Sequence, residues 1–126
     1  MEIKVNEQAQ QFYLAMPKRK EWVPIVGHEI KVGKYRFSAS PVNDVINVSE
    51  VTTGAKVMNI PLDPITLFMT AEKESAIDYF YSVGERIKKI IEKQTDFDSM
   101  LAEMKKKTFE QLGEMPEIID VEMEVQ

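Results

Sequence analysis

The chain has 126 residues, of which 44% are hydrophobic and 29% are charged, a composition typical of one folded domain rather than of a disordered chain. The absence of cysteine excludes disulfides, cysteine nucleophiles, iron–sulfur clusters and cysteine-ligated zinc, and it permits a cytoplasmic location. His28 is the single histidine, so a metal site that needs several histidines is excluded as well.

Membrane and export signals are not found in the sequence. No apolar run approaches the 18 residues that a membrane-spanning helix needs, and residues 1–7 lack the basic and apolar regions of a signal peptide. We therefore expect a soluble, cytoplasmic protein that does not bind membranes.

Charge is distributed unevenly along the chain, whose net charge is −5. Residues 114–126 contain no lysine or arginine but carry five acids: Glu114, Glu117, Asp120, Glu122 and Glu124. The rest of the chain is therefore neutral, which gives no general indication of nucleic-acid binding.

The first predicted element is a short helix over residues 6–16. Its apolar residues recur at helical spacing, at Ala9, Phe12, Tyr13 and Met16. Asn6 is a suitable N-cap, and Pro17 would end the helix. An early strand through Phe12 to Ala15 is the alternative interpretation.

Residues 21–62 change to the alternating pattern of strands and predict an antiparallel meander of about four strands. In the first hairpin, a turn at Gly33 and Lys34 pairs Val32 with Tyr35 and Ile30 with Phe37 on an apolar face. The opposite face carries Glu29, Lys31, Arg36 and Ser38, and we expect it to face water.

The second hairpin turns at Thr52, Thr53 and Gly54 and allows two registers. A two-residue turn would set Glu50 opposite Val57 and Val48 opposite Asn59, which are poor cross-strand pairs. A three-residue turn with Gly54 in the left-handed conformation gives better pairs, namely Glu50 with Lys56, Val48 with Met58 and Ile46 with Ile60. We predict the three-residue turn.

Helices are predicted after the sheet. Asp63 and Pro64 indicate the start of a short helix that runs through Met69. A long helix over residues 71–93, with Thr70 as its possible cap, has a wide isoleucine-rich stripe. The stripe is wide enough to permit homodimerisation.

A further helix is predicted to begin with a capping box formed by Thr95 and Asp98 and to close at Gly113. The two C-terminal amphipathic helices are expected to pack over the apolar face of the sheet.

Residues 117–125 alternate between apolar and acidic side chains and indicate a late β-strand. Acidic segment 114–126 is thus either a strand docked on this protein's own sheet or a mobile tail that recruits a partner. The sequence as a whole predicts one α+β domain over residues 1–126.

One candidate binding surface combines basic and aromatic residues. Its members are Lys18, Arg19, Lys20 and Trp22 in one segment, and Lys31, Lys34, Tyr35, Arg36 and Phe37 on the first hairpin. Basic groups attract phosphates and exposed aromatic rings stack on unpaired bases, so the set could bind single-stranded nucleic acid. Strict alternation instead places Tyr35 and Phe37 in the core, which is the interpretation we favour.

The second candidate surface is the acidic tail, where Glu117, Asp120, Glu122 and Glu124 could bind a protein partner. A docked edge strand is the favoured alternative, because four alternating apolar residues would be costly to leave exposed.

Catalytic signatures are absent from the sequence: it has no glycine-rich phosphate loop, no metal-ligand spacing and no nucleophile elbow. His28 is the one residue around which an enzyme site could form, but no neighbouring residue type organises it as a base. We expect no cofactor and lean against an enzyme.

The leading hypothesis is a small, non-catalytic intracellular protein that acts on a protein partner, in a regulatory or inhibitory role. A binder of single-stranded nucleic acid is second, and an enzyme with a site near His28 is third.

Overall fold

The computed structural model describes residues 1–122 and confirms the α+β class, with helices packed against an antiparallel sheet. Within that part, the strands are β1 (Ile3–Val5), β2 (Gln10–Met16), β3 (Glu21–Val32), β4 (Tyr35–Val42), β5 (Val45–Glu50), β6 (Lys56–Pro61) and β7 (Ile119–Asp120). The helices are α1 (Pro64–Met69), α2 (Lys73–Lys93) and α3 (Phe97–Leu112). None of them is long and apolar enough to cross a membrane.

The predicted N-terminal helix over residues 6–16 is wrong, because this segment contains β2. Phe12 and Leu14 alternate as buried residues along the strand, opposite Ile25 and Val23 of β3. The spacing of the apolar residues fits a helix as well, but β2 pairs with β3 along its whole length and with β7 at Gln10 and Gln11, which satisfies its backbone groups as a strand. The alternative strand through Phe12 to Ala15 lies inside β2, and β1 was not predicted.

β3 is the organising strand of the sheet. The order is β6-β5-β4-β3-β2-β7, all antiparallel, with β1 paired to the second half of β3 beside β2. At Gly27, between these two halves, a Cβ atom would stand 2.3 Å from the carbonyl oxygen of Ala39 and 2.1 Å from Ser40 Oγ. Glycine is therefore required for β3 to approach β4 this closely.

The first hairpin is confirmed in its register. Val32 lies opposite Tyr35 and Ile30 opposite Phe37, with Gly33 at a φ of 61° in the turn. Ile30, Val32 and Phe37 are fully buried, as the alternation predicted.

The second hairpin is confirmed in part. Val48 lies opposite Met58 and Ile46 opposite Ile60, and Gly54 is left-handed, with a φ of 67°. The predicted pair of Glu50 with Lys56 is wrong, since a register shift between Val48 and Ser49 brings Ser49 opposite Lys56.

Glu50 is instead folded into its own turn. Its carboxylate accepts hydrogen bonds from the backbone N of Thr52 at 3.1 Å, the hydroxyl of Thr52 at 2.7 Å and the backbone N of Thr53 at 2.8 Å. The residue is only 2% exposed. The carboxylate of Glu50 therefore accepts hydrogen bonds from its own turn instead of forming the predicted ion pair with Lys56.

Capping explains most of the helix limits. Asp63 and Pro64 begin α1, as predicted, and Gly113 closes α3 with a φ of 77°. The predicted N-caps Thr70 and Thr95 are wrong: Glu72 occupies the cap position of α2, and Asp96 caps α3 by accepting from Ser99 N at 3.0 Å.

The main core lies between the sheet and α2. The sheet contributes buried residues that include Ile30, Val32, Phe37, Ile46 and Val48, and α2 contributes Ile77, Phe80, Val83, Ile87 and Ile91. Because the isoleucine-rich stripe of α2 is covered within the chain, it gives no reason to expect a homodimer.

The N-terminal end of α3 is joined to the first hairpin. The ring of Phe97 packs edge-on against Tyr35, with centroids 4.8 Å apart, and Asp98 accepts hydrogen bonds from Lys34 and Tyr35, both at 2.8 Å. These donors hold the pKa of Asp98 below its usual range, and the hydrogen bond to Asp98 raises the pKa of Lys34 and of Tyr35.

Candidate functional site

The basic loop joins β2 to β3. Lys18, Arg19 and Lys20 are exposed there, and Arg19 forms an ion pair with Glu21 at 2.9 Å. Trp22 is not free beside them: its ring meets Phe109 of α3 edge-on at 6.3 Å, and its Nε1 donates to the carbonyl of Gly113 at 3.4 Å. The loop therefore offers cations without an unpartnered aromatic ring.

The basic residues of the first hairpin form a row. Lys31 of β3 lies directly opposite Lys4 of β1 on one side and Arg36 of β4 on the other, so the three side chains share one face of the sheet. Arg36 forms an ion pair with Glu29. Lys4 forms an ion pair with Glu2 at 3.7 Å, so Lys31 is the one member of the row without an ion-pair partner among residues 1–122. Like charges in direct cross-strand pairs are unfavourable, and the two acids offset them here.

Tyr35 and Phe37 are not available for stacking on bases. Phe37 is fully buried, and Tyr35 is half-buried against Phe97 with its hydroxyl bonded to Asp98. Both project from the face opposite to Lys31 and Arg36, because cross-strand partners share a face and faces alternate along a strand.

The two basic segments are well separated along β3. Trp22 pairs with Ala15 of β2, whereas Lys31 pairs with Lys4 and Arg36 near the other end of the strand. Nine residues of strand cover up to about 30 Å. The predicted surface is therefore divided into two basic groups.

His28 lies in β3 with its ring 6.0 Å from Phe80 of α2, and its Nδ1 is 2.9 Å from the carbonyl oxygen of Asn6. Its hydrogen-bond partner is thus a backbone group rather than a carboxylate. Within residues 1–122, no group of three histidine, aspartate or glutamate side chains is arranged to hold a metal ion.

A small polar cleft of about 110 Å³ lies at one end of the basic row, lined by Glu2, Lys4, Lys31 and Gly33. Pockets that enclose organic substrates usually have roughly 300 Å³ or more. The cleft is therefore of a size for water or a small ion.

The acidic tail is partly docked. Ile119 and Asp120 form β7 opposite Gln11 and Gln10 of β2, and Gln10 Nε2 donates to Asp120 Oδ1 at 3.1 Å. Val121 N also donates to the carbonyl of Ala9 at 2.8 Å. Within the late strand predicted at residues 117–125, Ile119 and Asp120 form a strand at the edge of the sheet, and residues 123–125 lie outside the described residues.

The acids named as candidate binding residues differ in their surroundings. Glu117, Asp120 and Glu122 are exposed, and Glu124 lies outside the described residues. Ile119 is 49% exposed, so docking does not bury it as the alternation had suggested.

An apolar surface on α1 was missed by sequence reasoning. Four large apolar side chains project into solvent from this six-residue helix, with Phe68 82%, Ile65 71%, Leu67 53% and Met69 46% exposed. We call these four residues the α1 surface. They are half of the eight large hydrophobic residues found exposed in residues 1–122.

Polar residues cap α1 at both ends. The buried Thr66 turns inward, and its backbone N donates to Asp63 Oδ1 at 2.7 Å. Hydrogen bonds from Thr66 keep the pKa of Asp63 below its usual range. At the other end, Thr70 donates to the carbonyl of Thr66 through its backbone N at 3.0 Å and through its hydroxyl at 2.9 Å.

Thr66 also explains why the α1 surface was missed. Sequence reasoning assumes that apolar residues turn inward, and here a single threonine is buried while its four apolar neighbours are not. A helix of six residues with one polar position among four large apolar ones was the available signal.

Comparisons with known proteins find no relative of this chain. The chain matches no family model, no curated protein and no solved structure.

Proposed function

We propose that this chain is a small, non-catalytic interaction protein of the cytoplasm that acts on a protein partner through the α1 surface. The observation that supports the proposal is the exposure of Ile65, Leu67, Phe68 and Met69 on a helix with well-defined caps. Leaving such side chains in water forgoes burial worth about 1.5–3 kcal/mol each, so a partner that covers them gains binding free energy.

We therefore prefer α1 to the two binding surfaces that the sequence suggested. The acidic tail is a weaker candidate than α1, since Asp120 and Val121 are engaged by β2 and by the loop before it. Basic loop residues 18–20 lack a free aromatic neighbour, because Trp22 is held by Phe109 and Gly113. α1 has exposed apolar side chains on a helix that is capped at both ends.

Site-specific photocrosslinking tests the proposal. Benzoylphenylalanine replaces Phe68 in one protein and the exposed Glu110 of α3 in a control protein, and both are irradiated in extract of the natural host. We expect discrete protein adducts from position 68 that the control lacks. Equal adduct patterns from the two positions would contradict the proposed function.

Single-stranded nucleic acid remains a second candidate, which the row of Lys4, Lys31 and Arg36 favours. It would be bound through phosphates alone, because Tyr35 and Phe37 face away from the row. Titration with oligothymidylate at low salt tests this candidate. Binding that weakens steeply with salt and is lost in Lys31→Glu would support it, and no binding would remove it.

A further inference from the structure

Three of the exposed side chains of α1 lie on one face of the helix. Ile65, Phe68 and Met69 follow one another at positions i, i+3 and i+4, which are neighbours on a helical surface. All three are exposed, whereas Thr66 is buried and Thr70 is half-buried on the other side of the helix. α1 therefore rests on the molecule through its threonine side and presents a ridge of apolar side chains to solvent. We call Ile65, Phe68 and Met69 the α1 ridge.

The backbone amides in the first turn of α1 are hydrogen-bonded. Pro64 has no N–H group, Thr66 N donates to Asp63 Oδ1 at 2.7 Å, and Leu67 N donates to the Asp63 carbonyl at 2.9 Å. Hydrogen bonds from Thr66 and from the backbone of Ile65 lower the pKa of Asp63. Free amides at a helix start need water or an acceptor. An apolar surface can therefore cover this end of α1 without supplying an acceptor of its own.

The segment that forms the ridge is uncharged. Residues 64–71 contain no acid and no base, and the nearest charged residues in the sequence are Asp63 and Glu72. A charged group of a partner that is buried against apolar side chains loses its hydration and finds no ion-pair partner there. The surface that fits over the ridge is therefore apolar and uncharged at its centre.

The exposed area of α1 distinguishes a second copy of the chain from a different partner. The four exposed apolar side chains offer on the order of 400 Å², at about 100 Å² of apolar area for each large side chain. A stable interface buries about 800 Å² on each partner, so a two-fold contact of α1 against α1 would reach only about half of that area. A groove covers both flanks of a projecting helix as well as its outer face, and it therefore buries more area against the same residues.

We propose that the partner protein receives the α1 ridge in an apolar, uncharged groove, with Ile65, Phe68 and Met69 as the anchoring side chains. This inference rests on the proposed function and specifies the shape and chemistry of the partner's site. Anchors at i, i+3 and i+4 are the pattern by which grooves recognise a helix. Phe68 is the most exposed of the three and serves as the central anchor.

A lipid bilayer fits α1 less well than a protein groove does. Helices that bind membrane surfaces combine an apolar face with lysine and arginine side chains on the polar face. Residues 64–71 contain neither lysine nor arginine. Membrane binding is therefore an outcome that the test has to distinguish.

Photocrosslinking from each position of the ridge maps the shape of the partner's site. Benzoylphenylalanine replaces Ile65, Phe68 or Met69 in three separate proteins and the exposed Glu110 in a control, and each full chain is irradiated in extract of the natural host. Mass spectrometry identifies the partner residues in each adduct. We expect all three ridge positions to label one protein, at apolar residues from at least two separate segments, because a groove has two walls.

Paired charge substitutions test the chemistry of the groove. Met69→Glu and Met69→Lys are each combined with benzoylphenylalanine at position 68, and urea unfolding checks that both proteins are folded. An uncharged groove disfavours both charges, so each substitution should lower the adduct yield by about tenfold or more. Glu110→Lys, combined with position 68 in the same way, is the control and should leave the yield unchanged, because Glu110 is exposed on α3.

A yield that either charge leaves unchanged would overturn the inference, since an uncharged groove rejects both signs. Labelling of one continuous segment by all three positions would overturn it as well, and so would an adduct between two copies of this chain. Binding of the unchanged chain, but not of Phe68→Ser, to vesicles of phosphatidylcholine and phosphatidylserine would show that lipid occupies the ridge.

The failure of this inference is distinguishable from the failure of the proposed function. Protein adducts at position 68 that the control at position 110 lacks leave the proposed function intact, even when a single segment is labelled or one charge is tolerated. Equal adduct patterns from positions 68 and 110 would contradict the proposed function and the groove together.

Discussion

Glu50 shows how a charged side chain is accommodated in the interior of this protein. It is almost fully buried, and its two carboxylate oxygens accept three hydrogen bonds from the turn between β5 and β6. Buried donors that lose an acceptor cost more free energy than the bond itself contributes. The carboxylate therefore fixes the conformation of the turn.

Replacing Glu50 by alanine should lower the free energy of unfolding by about 1–3 kcal/mol, because the backbone N groups of Thr52 and Thr53 would lose their acceptor. Glu50→Gln retains one oxygen and should cost less than Glu50→Ala. Urea denaturation of the three proteins measures the difference. Equal stability of all three would show that the carboxylate does not hold the turn.

The ionisation of Asp98 predicts how the stability of the folded state depends on pH. Its pKa is lowered by the hydrogen bonds from Lys34 and Tyr35, so the folded state favours the ionised form. This contribution is fully present above the pKa of the unfolded state, near pH 4, and is lost as the pH falls through the lower pKa of the folded state.

We therefore expect Asp98→Asn to be less stable than the unchanged chain at neutral pH and to approach it in stability at acidic pH. Urea midpoints for both proteins at a series of pH values check this. A difference that stays constant across the series would contradict the assigned ionic origin.

Position 27 requires glycine for a steric reason. A Cβ atom there would overlap the Ala39 carbonyl, which belongs to the sheet backbone and cannot move aside. We expect Gly27→Ala to cost about 1–3 kcal/mol of unfolding free energy. Gly113→Ala serves as a comparison, since its Cβ would meet no atom within 4 Å and only its positive φ is unfavourable. A larger loss in Gly113→Ala would refute the steric explanation.

At the scale of elements, sequence reasoning succeeded where local signals agree. The Gly33 hairpin combines a turn glycine with alternation, the body of α2 has a long periodic apolar pattern, and Asp63 and Pro64 mark the start of α1. β2 was misassigned because Ala9, Phe12 and Met16 fit a helical period equally well. Its identity is decided by pairing with β3 along the whole strand and with the distant β7 at two residues, and the spacing of its own apolar residues does not reveal this pairing.

The candidate site was less predictable than the fold. Lys31 and Arg36 could be placed on one face from alternation, but the third member of the row, Lys4, belongs to a strand that the sequence did not indicate. The contact of Trp22 with Phe109 joins residues 87 positions apart and leaves no local signal. For α1, the pattern alone cannot show which side of a short helix faces the core.

α1 differs from α2 in what its apolar residues do. Because Ile65 and Phe68 are largely exposed, the double variant Ile65→Ser, Phe68→Ser should change the unfolding free energy by no more than about 0.5 kcal/mol. Ile87 is fully buried, so Ile87→Ala should cost about 2–5 kcal/mol. Thermal or urea unfolding measures the stability of both variants. If the double variant lost as much unfolding free energy as Ile87→Ala does, α1 would belong to the core.

At the scale of the whole molecule, the exposed apolar side chains of α1 and the basic row of the sheet belong to different elements. The isoleucine-rich stripe of α2 is covered within the chain, so it offers no surface to a second copy. We therefore expect a monomer. Light scattering at the highest attainable concentration measures the mass, and a stable dimer that Phe68→Ser dissociates would show that a second copy occupies the α1 surface.

The central claim is that the α1 surface serves binding rather than folding, and quantitative affinity capture from the natural host tests it most directly. The unchanged chain is compared with Ile65→Ser, Phe68→Ser, after both have been shown to unfold at the same urea concentration. We predict that a specific partner is retained by the unchanged chain and lost from the double variant. Equal retention of that partner by two equally stable proteins would contradict the claim.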